Sequence, residues 1–573
     1  MNSFVGPEHA SSIVLPAPDP NLCAVVVVPA RDEADRIGRC LLALAGQRGV
    51  LPDSFEAIVI LDGCRDGTRE VIRRFGEQMP SVRVHAVELA TARGVGRARR
   101  LGMDLACQRL LSVGRNDGLI ASTDADSVVA HDWLACQLEL TRRGAQAIGG
   151  HIELHPHESD TLAVAALAER ELRGTERMRM LLREYPSEVA AEHHQFSGAS
   201  LALTADTYVR CGGLPVRAAL EDEALERELR ARGVPIHHSR RVRVRTSART
   251  DGRAPRGLAH DLASADWRAR RSYRAEEFPL SRLLALKRCT IALVLPARNV
   301  AATIGAVAEH AVRLRDAGLL DEALVVDAAS QDGTAEIAEH AGLTVVQESD
   351  ISSEYGPARG KGDAMWRALR MLDSEIVAFA DTDTEDFAAH YLTGMLGPLL
   401  CDPSVQLVKG FFRRPFRAEA TVMPHGGGRV TELMARPLLN LHAPELAVFD
   451  QPLAGETAAR RELLERIPFS VGYGVEIAML IDAWRAVGLD NLAQVNLGIR
   501  HNRHQSLREL SAMSYAVLVA AQTRFLGSDF ADAHAGGSIS LPALDGEGAM
   551  ETRRVPVEER APLASIRGDG LAV

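Results

Sequence analysis

The chain has 573 residues, of which 46% are hydrophobic and 25% are charged, so a disordered, collagen-like or coiled-coil protein is excluded. The net charge of −10 and the 4% aromatic content argue against a nucleic-acid partner, because there is neither a basic surplus nor a base-stacking platform. The eight cysteines form no C-x-x-C pair, which argues against a zinc ribbon and against a redox motif. The sequence has no leader pattern and no apolar run of about 18 residues, so we expect a cytoplasmic protein with no membrane-spanning segment.

The first predicted elements are three strands, each followed by polar residues. The first apolar run ends in Pro-Ala-Arg before Asp32 and Glu33, which open a helix. The second run ends in Asp62 and leads into a D-G-T turn, and the third leads into the D-x-D pair Asp124 and Asp126. Strands that alternate with helices predict an α/β fold with a parallel sheet, whose ligands lie beyond the carboxyl ends of the strands.

These acids have competing interpretations. Asp62 either binds a base or ribose or caps the next helix, and Asp32 and Glu33 either contact a nucleotide or cap the helix that they open. Two carboxylates at one strand end repel each other, and Mg²⁺ or Mn²⁺ removes that conflict; the alternative is a pair of solvated turn acids. The metal is favoured because the whole pattern occurs twice.

The second half repeats the plan. Its first strand ends in Pro-Ala-Arg-Asn, from Pro296 to Asn299, and its second ends in Asp327. The third strand leads into the D-x-D pair Asp381 and Asp383. By position, Pro296, Asn299 and Asp327 are candidate donor-binding residues. The sequence therefore predicts two tandem α/β domains.

The predicted boundaries follow from changes in composition. We expect an N-terminal extension over 1–21, a first domain over 22–250 and a second domain over 289–527. The Arg-, Ala- and Asp-rich segment 251–288 is predicted to be a linker, and the Gly-, Ala- and acid-rich segment 528–573 a mobile tail.

Several strings of the first half occur in an order typical of one enzyme family. They are P-A-R-D-E, D-G-C-R-D-G-T, G-V-G-R-A-R-R-L-G, D-A-D and F-S-G-A-S-L-A-L, followed by E-D-E-A-L. Residues 22–250 thereby resemble family 2 glycosyltransferases, which have the GT-A fold. The resemblance implies that Asp124 and Asp126 hold the donor diphosphate through a metal. It also implies that Glu221 or Asp222 deprotonates the acceptor hydroxyl in an inverting reaction, the alternative being a solvated helix start.

The second half contains a glycine-rich string, G-G-G-R, directly before a helical pattern. Glycines let the backbone approach a ligand, Arg429 can bind a carboxylate or phosphate bidentately, and a helix N-terminus favours an anion. These features predict an anionic acceptor, with a flexible surface turn as the alternative. Lys361, which stands between two glycines, can reach a phosphate or the sugar.

The strings G-K-G-D-A-M-W, G-G-G-R-V-T-E-L, Q-P-L-A-G-E and G-Y-G-V-E-I make the second half more specific. From about 288 to 525 it resembles the glucosyl-3-phosphoglycerate synthase family, whose members are retaining GT-A enzymes. The resemblance implies Mg²⁺-dependent transfer of glucose from a nucleoside-diphosphate glucose to 3-phosphoglycerate. Members of the family often dimerise, so a homodimer is one oligomeric state that the resemblance allows. The roles that it implies are metal ligands for Asp381 and Asp383, a donor contact for Lys361, a contact with the glucose near the reaction centre for Glu476, and phosphoglycerate binding for Gly428, Arg429 and Thr431.

Two positions depart from that family. Val300 stands where the family has an acid after its first strand, which leaves the preference for the nucleotide base open. Asn502 stands at the metal-ligand histidine, and His504 or His501 is the candidate replacement.

The sequence leaves alternatives for both halves. The second half could act on another small anionic acceptor, or it could bind sugar nucleotide without turnover beside an active first half. The first half is predicted to be a second glycosyltransferase, with an acceptor that the sequence does not identify, so the protein would be bifunctional.

Overall fold

The computed structural model describes residues 13–159, 164–186, 190–217, 219–252, 256–418, 421–423, 427–501, 506–543 and 550–568. Within it the chain forms two units, Met1–Ala269 and Arg270–Val573. In the part of the chain that is described, no helix is both long enough and apolar enough to cross a membrane.

The N-terminal unit is built on an eight-stranded sheet. Its strands are β1 (Ala24–Ala30), β2 (Phe55–Asp62), β3 (Arg83–Leu89), β4 (Leu119–Ser122), β5 (Val128–Val129), β6 (Ala147–Leu154), β7 (Leu201–Thr204) and β8 (Ile236–Thr246). Its helices are α1 (Ile37–Ala45), α2 (Thr68–Gln78), α3 (Val95–Ser112), α4 (Trp133–Arg142), α5 (Pro156–Ser159), α6 (Val164–Glu184), α7 (Ala205–Arg210), α8 (Glu221–Ala231) and α9 (Leu258–Arg271), which ends just beyond the unit.

The C-terminal unit is built on a second eight-stranded sheet, and its described residues also form three two-stranded sheets. Its strands are β9 (Ser272–Arg274), β10 (Ile291–Ala297), β11 (Glu322–Asp327), β12 (Thr344–Gln347), β13 (Ile376–Phe379), β14 (Leu407–Arg413), β15 (Phe416–Ala418), β16 (Thr421–Met423), β17 (Thr457–Arg460), β18 (Phe469–Ser470), β19 (Leu492–Ile499), β20 (Ser538–Pro542), β21 (Met550–Arg554) and β22 (Glu559–Arg560). Its helices are α10 (Leu280–Leu286), α11 (Ala301–Asp316), α12 (Thr334–His340), α13 (Lys361–Met371), α14 (Ala389–Cys401), α15 (Arg436–His442), α16 (Arg461–Arg466), α17 (Val475–Val487), α18 (Leu507–Leu526), α19 (Ser528–His534) and α20 (Leu563–Gly568).

The two large sheets share the order of their first seven strands. The first runs β3-β2-β1-β4-β7-β6-β8-β5 and the second β12-β11-β10-β13-β17-β14-β19-β9. In both, four parallel strands are followed by one antiparallel strand, β7 or β17, and then by a parallel pair. The last strand differs, because β5 is antiparallel to β8 whereas β9 is parallel to β19. The predicted tandem α/β architecture is confirmed.

Burial explains why these runs form central strands. Every residue of β1 and β2 is buried, and β10 and β13 are buried except for Pro296. A strand covered on both faces reads as a continuous apolar run, which is the pattern seen in the sequence. The parallel strands β1, β2 and β4 end at one edge, as do β10, β11 and β13, and the polar motifs follow at those edges.

The structure differs from two of the sequence-based segments. The expected linker 251–288 contains α9, and β9 and α10 belong to the C-terminal unit, where β9 pairs with β19. The expected mobile tail 528–573 contains α19, the hairpin β20–β21, α20 and β22, which pairs with β18. Composition alone did not indicate that these segments are ordered, because ion pairs of a few arginines hold them against the rest of the unit. Arg560, for example, ion-pairs with the buried Asp363.

Candidate active sites

Three residues predicted for the C-terminal site come together at the end of β13. Lys361 is the first residue of α13, and its Nζ lies 2.5 Å from Asp381 Oδ1 and 2.7 Å from Glu476 Oε1. Glu476 is the second residue of α17. One cation thus bridges the first acid of the D-x-D pair and the acid expected near the reaction centre.

Arg500, which sequence reasoning did not single out, completes this cluster. Its Nη1 lies 3.1 Å from Asp381 Oδ2 and 2.6 Å from Glu456 Oε1, and its Nη2 lies 2.8 Å from Asp383 Oδ1. The side chain is 1% exposed and directly follows β19. Glu456 ends the string Q-P-L-A-G-E and Arg500 directly precedes His501, but nothing in their spacing indicates that they meet.

The charges in this cluster affect one another strongly. Burial raises the pKa of Asp381, but Lys361 and Arg500 outweigh it and hold that pKa below its ordinary value. Burial also raises the pKa of Glu456, and Arg500 offsets part of that effect. Nearby, burial lowers the pKa of Lys409 to about 8. Asp381 is therefore an ionised carboxylate over the physiological pH range.

The D-x-D carboxylates fit a hard divalent cation. Asp383 is half exposed, whereas Asp381 lies so close to the backbone of Gly455 that a side chain at this glycine would clash with the carboxylate. Glu456 Oε2 is buried without a hydrogen-bond partner among the residues that the structure describes. Mg²⁺ and Mn²⁺ prefer such oxygen donors and take their remaining ligands from substrate phosphates and water.

The predicted acceptor residues lie at the turn that opens the helical segment before α15. Gly428 has a φ of +74°, and Thr431 is buried at the start of a π-helical turn, Thr431–Ala435. The N–H of Gly427 donates to the carbonyl of Arg414, 3.1 Å away. Arg414 and Arg500 each have the guanidinium carbon about 5 Å from the ring of Phe412, at 4.9 and 5.0 Å. These contacts link the glycine-rich turn to the acid cluster.

The predicted donor residues of the C-terminal unit hold the strand-end loops together. The Thr382 hydroxyl donates to the carbonyl of Pro296, 2.8 Å away. Asn299 Oδ1 accepts from the N–H of Gln331 at 3.0 Å. Asp327 is buried and accepts from both the N–H and the hydroxyl of Ser330. Their contacts with a nucleotide stay a prediction.

Of the two histidines proposed as metal ligands, the structure describes His501. His504 and Asn502 lie outside the described residues. The alternative, His501, has Nδ1 2.9 Å from Asp386 Oδ2, so it is paired with an acid other than Asp381 or Asp383.

The N-terminal site has its own buried cation, Arg99, which sequence reasoning also missed. Its Nη2 lies 2.8 Å from Asp124 Oδ1 and its Nε lies 3.1 Å from Glu221 Oε1. Its Nη1 donates to Ser122 Oγ and to the carbonyl of Gly198. Burial lowers the pKa of Arg99, but Asp124 and Glu221 outweigh that effect and raise it above the ordinary value.

The second aspartate of this pair has a different arginine. Arg249 Nη2 lies 2.8 Å from Asp126 Oδ2, and its Nη1 lies 2.8 Å from Glu33 Oε1. Burial, with a contribution from Asp124, raises the pKa of Asp126 to about 6. Glu33 is therefore joined to the D-x-D pair through Arg249.

The remaining acids predicted for the N-terminal site organise loops. Asp62 is buried and accepts from the N–H groups of Arg93 and Gly94, so it fixes the residues before α3. Asp32 accepts from the N–H of Arg65 at 2.6 Å. Asp222 accepts from the N–H of Gly198 at 2.9 Å. Asp62 is thus not a cap of α2, which was one of the two interpretations of the sequence.

Comparisons with known proteins match stretches of both units. The model of the family "Glycosyl transferase family 2" matches residues 25–196 and 292–437, more than half of the chain and a stretch of each unit. The glucosyl-3-phosphoglycerate synthase of Mycolicibacterium smegmatis is 42% identical over 281 residues, which are 48% of this chain and 90% of that protein. The enzyme of that name from Petrotoga mobilis is 38% identical over 285 residues, 48% of this chain and 86% of that protein.

A solved structure is also similar. The crystal structure of glucosyl-3-phosphoglycerate synthase from Mycobacterium tuberculosis in complex with Mn²⁺, UDP-glucose and phosphoglyceric acid is 40% identical. The match covers 50% of this chain and 95% of that one, with a TM-score of 0.45.

Two sheets that share the order of seven strands, each with a D-x-D pair beyond a central parallel strand, together with the family match define a tandem nucleotide-sugar transferase of the GT-A type. The chain belongs to glycosyltransferase family 2, and it is a glycosyltransferase.

Proposed function

We propose that the C-terminal unit transfers glucose from a nucleoside-diphosphate glucose to the 2-hydroxyl of 3-phosphoglycerate. The observation that carries this proposal is the bridge from Lys361 to Asp381 and Glu476. Contacts through Arg414, Phe412 and Arg500 link this cluster to the glycine-rich turn that bears Arg429. The relatives that share about half of this chain are named for this product. An anionic acceptor needs a cationic receptor, and Arg429 with the N–H groups of the turn supplies one.

The chain's own residues account for the chemistry. Transfer breaks the bond from the glucose C1 to the diphosphate oxygen and forms a bond from C1 to the acceptor oxygen. With retention and front-face attack, the hydroxyl proton passes to the departing diphosphate. Lys361 stabilises charge on that diphosphate, and Glu476 orients the glucose. Asp381 and Asp383 would hold Mg²⁺ or Mn²⁺, which neutralises the leaving group.

The N-terminal unit is proposed to be a second, inverting glycosyltransferase. Its Asp124 and Asp126 would hold a metal, and Glu221 and Asp222 are the candidate bases at the start of α8. Glu221 is buried and ion-paired with Arg99, whereas Asp222 is only partly buried, which favours Asp222 as the group that takes the proton. Its acceptor is not defined by these residues.

The test of the C-terminal proposal is nucleoside-diphosphate release by the purified full-length protein with Mg²⁺ and 3-phosphoglycerate. The donors are UDP-, GDP- and ADP-glucose, with GDP-mannose as a further arm. Asp383→Ala is compared with Asp126→Ala, the matched change in the other unit. We expect release that needs phosphoglycerate, is lost with Asp383→Ala and is kept with Asp126→Ala.

Other results would lead to the alternatives. Loss with Asp126→Ala alone would assign the activity to the N-terminal unit. Binding of donor without any release would make the C-terminal unit a non-catalytic sugar-nucleotide-binding domain. If release instead requires a different carboxylated or phosphorylated compound, that compound would replace phosphoglycerate as the proposed acceptor. The homodimer stays a prediction, and the mass of the purified particle in solution tests it.

A further inference from the structure

Each unit places a cation between two acids, but from a different position of the corresponding helix; Arg99 is buried and Lys361 is partly buried. Lys361 is the first residue of α13, whereas Arg99 is the fifth residue of α3. Both helices begin directly after a glycine with positive φ, Gly94 at 90° and Gly360 at 110°. Both follow the outermost parallel strand of their sheet.

The register of the two helices is fixed independently by their second residues. A side chain at Gly96 would clash with the backbone carbonyl of Arg217, and one at Gly362 would clash with the backbone carbonyl of Ser470. Each of these carbonyls lies a few residues before the helix that bears the acid, α8 or α17. The helices are therefore aligned by structure as well as by sequence.

In this alignment, the cation stands at the fifth position of α3 but at the first position of α13. Val95 occupies the place of Lys361, and Met365 occupies the place of Arg99. The positions are four residues apart and lie on the same face of the helix. The longer arginine side chain, starting one turn later, still contacts the first D-x-D acid and the acid at the start of α8.

The contacts are matched pair by pair. Lys361 Nζ lies 2.5 Å from Asp381 and 2.7 Å from Glu476. Arg99 lies 2.8 Å from Asp124 and 3.1 Å from Glu221. Burying a charge is costly unless it is paired, and Arg99 meets that requirement through acids that correspond to those paired with Lys361.

We propose that Arg99 is the positioning residue of the N-terminal donor site and makes there the two ion pairs that Lys361 makes in the C-terminal site. It holds Asp124 and Glu221 in the arrangement that a nucleoside diphosphate needs. Ser122 and Gly198 fix its guanidinium in turn. This inference rests on the proposed donor-binding function of the N-terminal unit.

The experiment uses the full chain with Asp381→Ala and Asp383→Ala, which disable the C-terminal donor site. Isothermal titration with UDP, and separately with GDP, in Mg²⁺ measures binding by the N-terminal unit. Arg99→Met should weaken binding about 10- to 100-fold, as expected for lost charge-assisted hydrogen bonds. Adding Val95→Lys to Arg99→Met should restore most of the affinity. Arg74→Met, which removes an exposed arginine of α2, should change nothing.

The outcomes separate this inference from the function on which it rests. If the parent chain binds neither nucleotide, the N-terminal donor function is wrong. If the parent binds but the double variant has normal thermal stability and no recovered affinity, Arg99 is merely structural. Should Arg99→Met fail to fold, the reverse exchange in the C-terminal unit decides. There, Lys361→Val should abolish phosphoglycerate-dependent release, and Lys361→Val with Met365→Arg should recover part of it; no recovery overturns the inference.

Discussion

The ion pair between Arg560 and Asp363 is expected to hold the donor-binding end of the C-terminal unit in place. Arg560 Nε lies 2.7 Å from Asp363 Oδ1, and its Nη2 lies 2.8 Å from Oδ2. Asp363 is fully buried, stands two residues after Lys361, and donates its N–H to the carbonyl of Val471. Arg560→Met keeps most of the side-chain volume and removes both charge-assisted hydrogen bonds.

The expected loss follows from the partners that Asp363 keeps. Removing one member of a buried ion pair costs about 3–5 kcal/mol when the other is left alone. Asp363 retains Arg367 Nε at 3.2 Å and the N–H of Arg359 at 3.0 Å. We therefore expect the free energy of unfolding to fall by about 2–3 kcal/mol. Because the start of α13 carries Lys361, the donor KM should rise as well.

The assay is urea unfolding, with the transition of the C-terminal unit identified by its shift in saturating phosphoglycerate, together with the donor KM. Arg554→Met is the matched control, because Arg554 is 79% exposed and lies 3.3 Å from Glu558. Such a surface pair contributes about 0.5 kcal/mol or less. Equal effects of the two substitutions, or an unchanged donor KM in Arg560→Met, would refute the reasoning.

Three further predictions concern the acceptor, the metal and pH. Arg429→Ala should raise the KM for phosphoglycerate at least tenfold while the donor KM stays near its original value, as steady-state kinetics with each substrate varied would show. Chelation by EDTA should abolish phosphoglycerate-dependent release, which Mn²⁺ restores in the parent chain but not in Asp383→Ala; turnover that persists in EDTA contradicts this. Burial lowers the pKa of His193 to about 3 and that of His238 to about 4, so both are neutral in the folded N-terminal unit. The unfolded chain takes up these protons near pH 6.5, so stability is full above that pH and falls towards pH 4, by about 2 kcal/mol per histidine at pH 5. Urea midpoints at pH 7 and 5 should differ less in His238→Gln, and an unchanged difference would count against the histidines.

Much of the site could be predicted because its acids follow buried strands. Asp381 and Asp124 come after runs whose apolar composition marks them as central strands, and parallel strands bring their ends to one edge. Lys361 and Glu476 were found through strings that resemble a family. In the structure, Lys361 forms ion pairs with both Asp381 and Glu476.

The arginines could not be found in the same way. Arg500 is separated from Asp381 by 119 positions, and Arg99 from Glu221 by 122. An arginine is long enough to reach a site from the interior of a helix or from the end of an edge-side strand, so its sequence position does not indicate its target. Only the contrast between Val95 and Lys361 offered a signal, since a lysine was missing where the other half has one.

The two halves also show which part of the donor site the change at Val300 affects. In the N-terminal unit the N–H of Glu33 donates to Thr68 Oγ1 at 2.8 Å, and in the C-terminal unit the N–H of Val300 donates to Thr334 Oγ1 at 2.9 Å. The preceding residues, Asp32 and Asn299, share a φ of 51° and accept the same type of backbone hydrogen bond. The loop is therefore built from backbone geometry that needs no acid at position 300, and only the carboxylate that Glu33 directs to Arg249 is missing. Since the frame is kept and one ionic contact is lost, the departure should leave the ability of the C-terminal unit to fold unchanged.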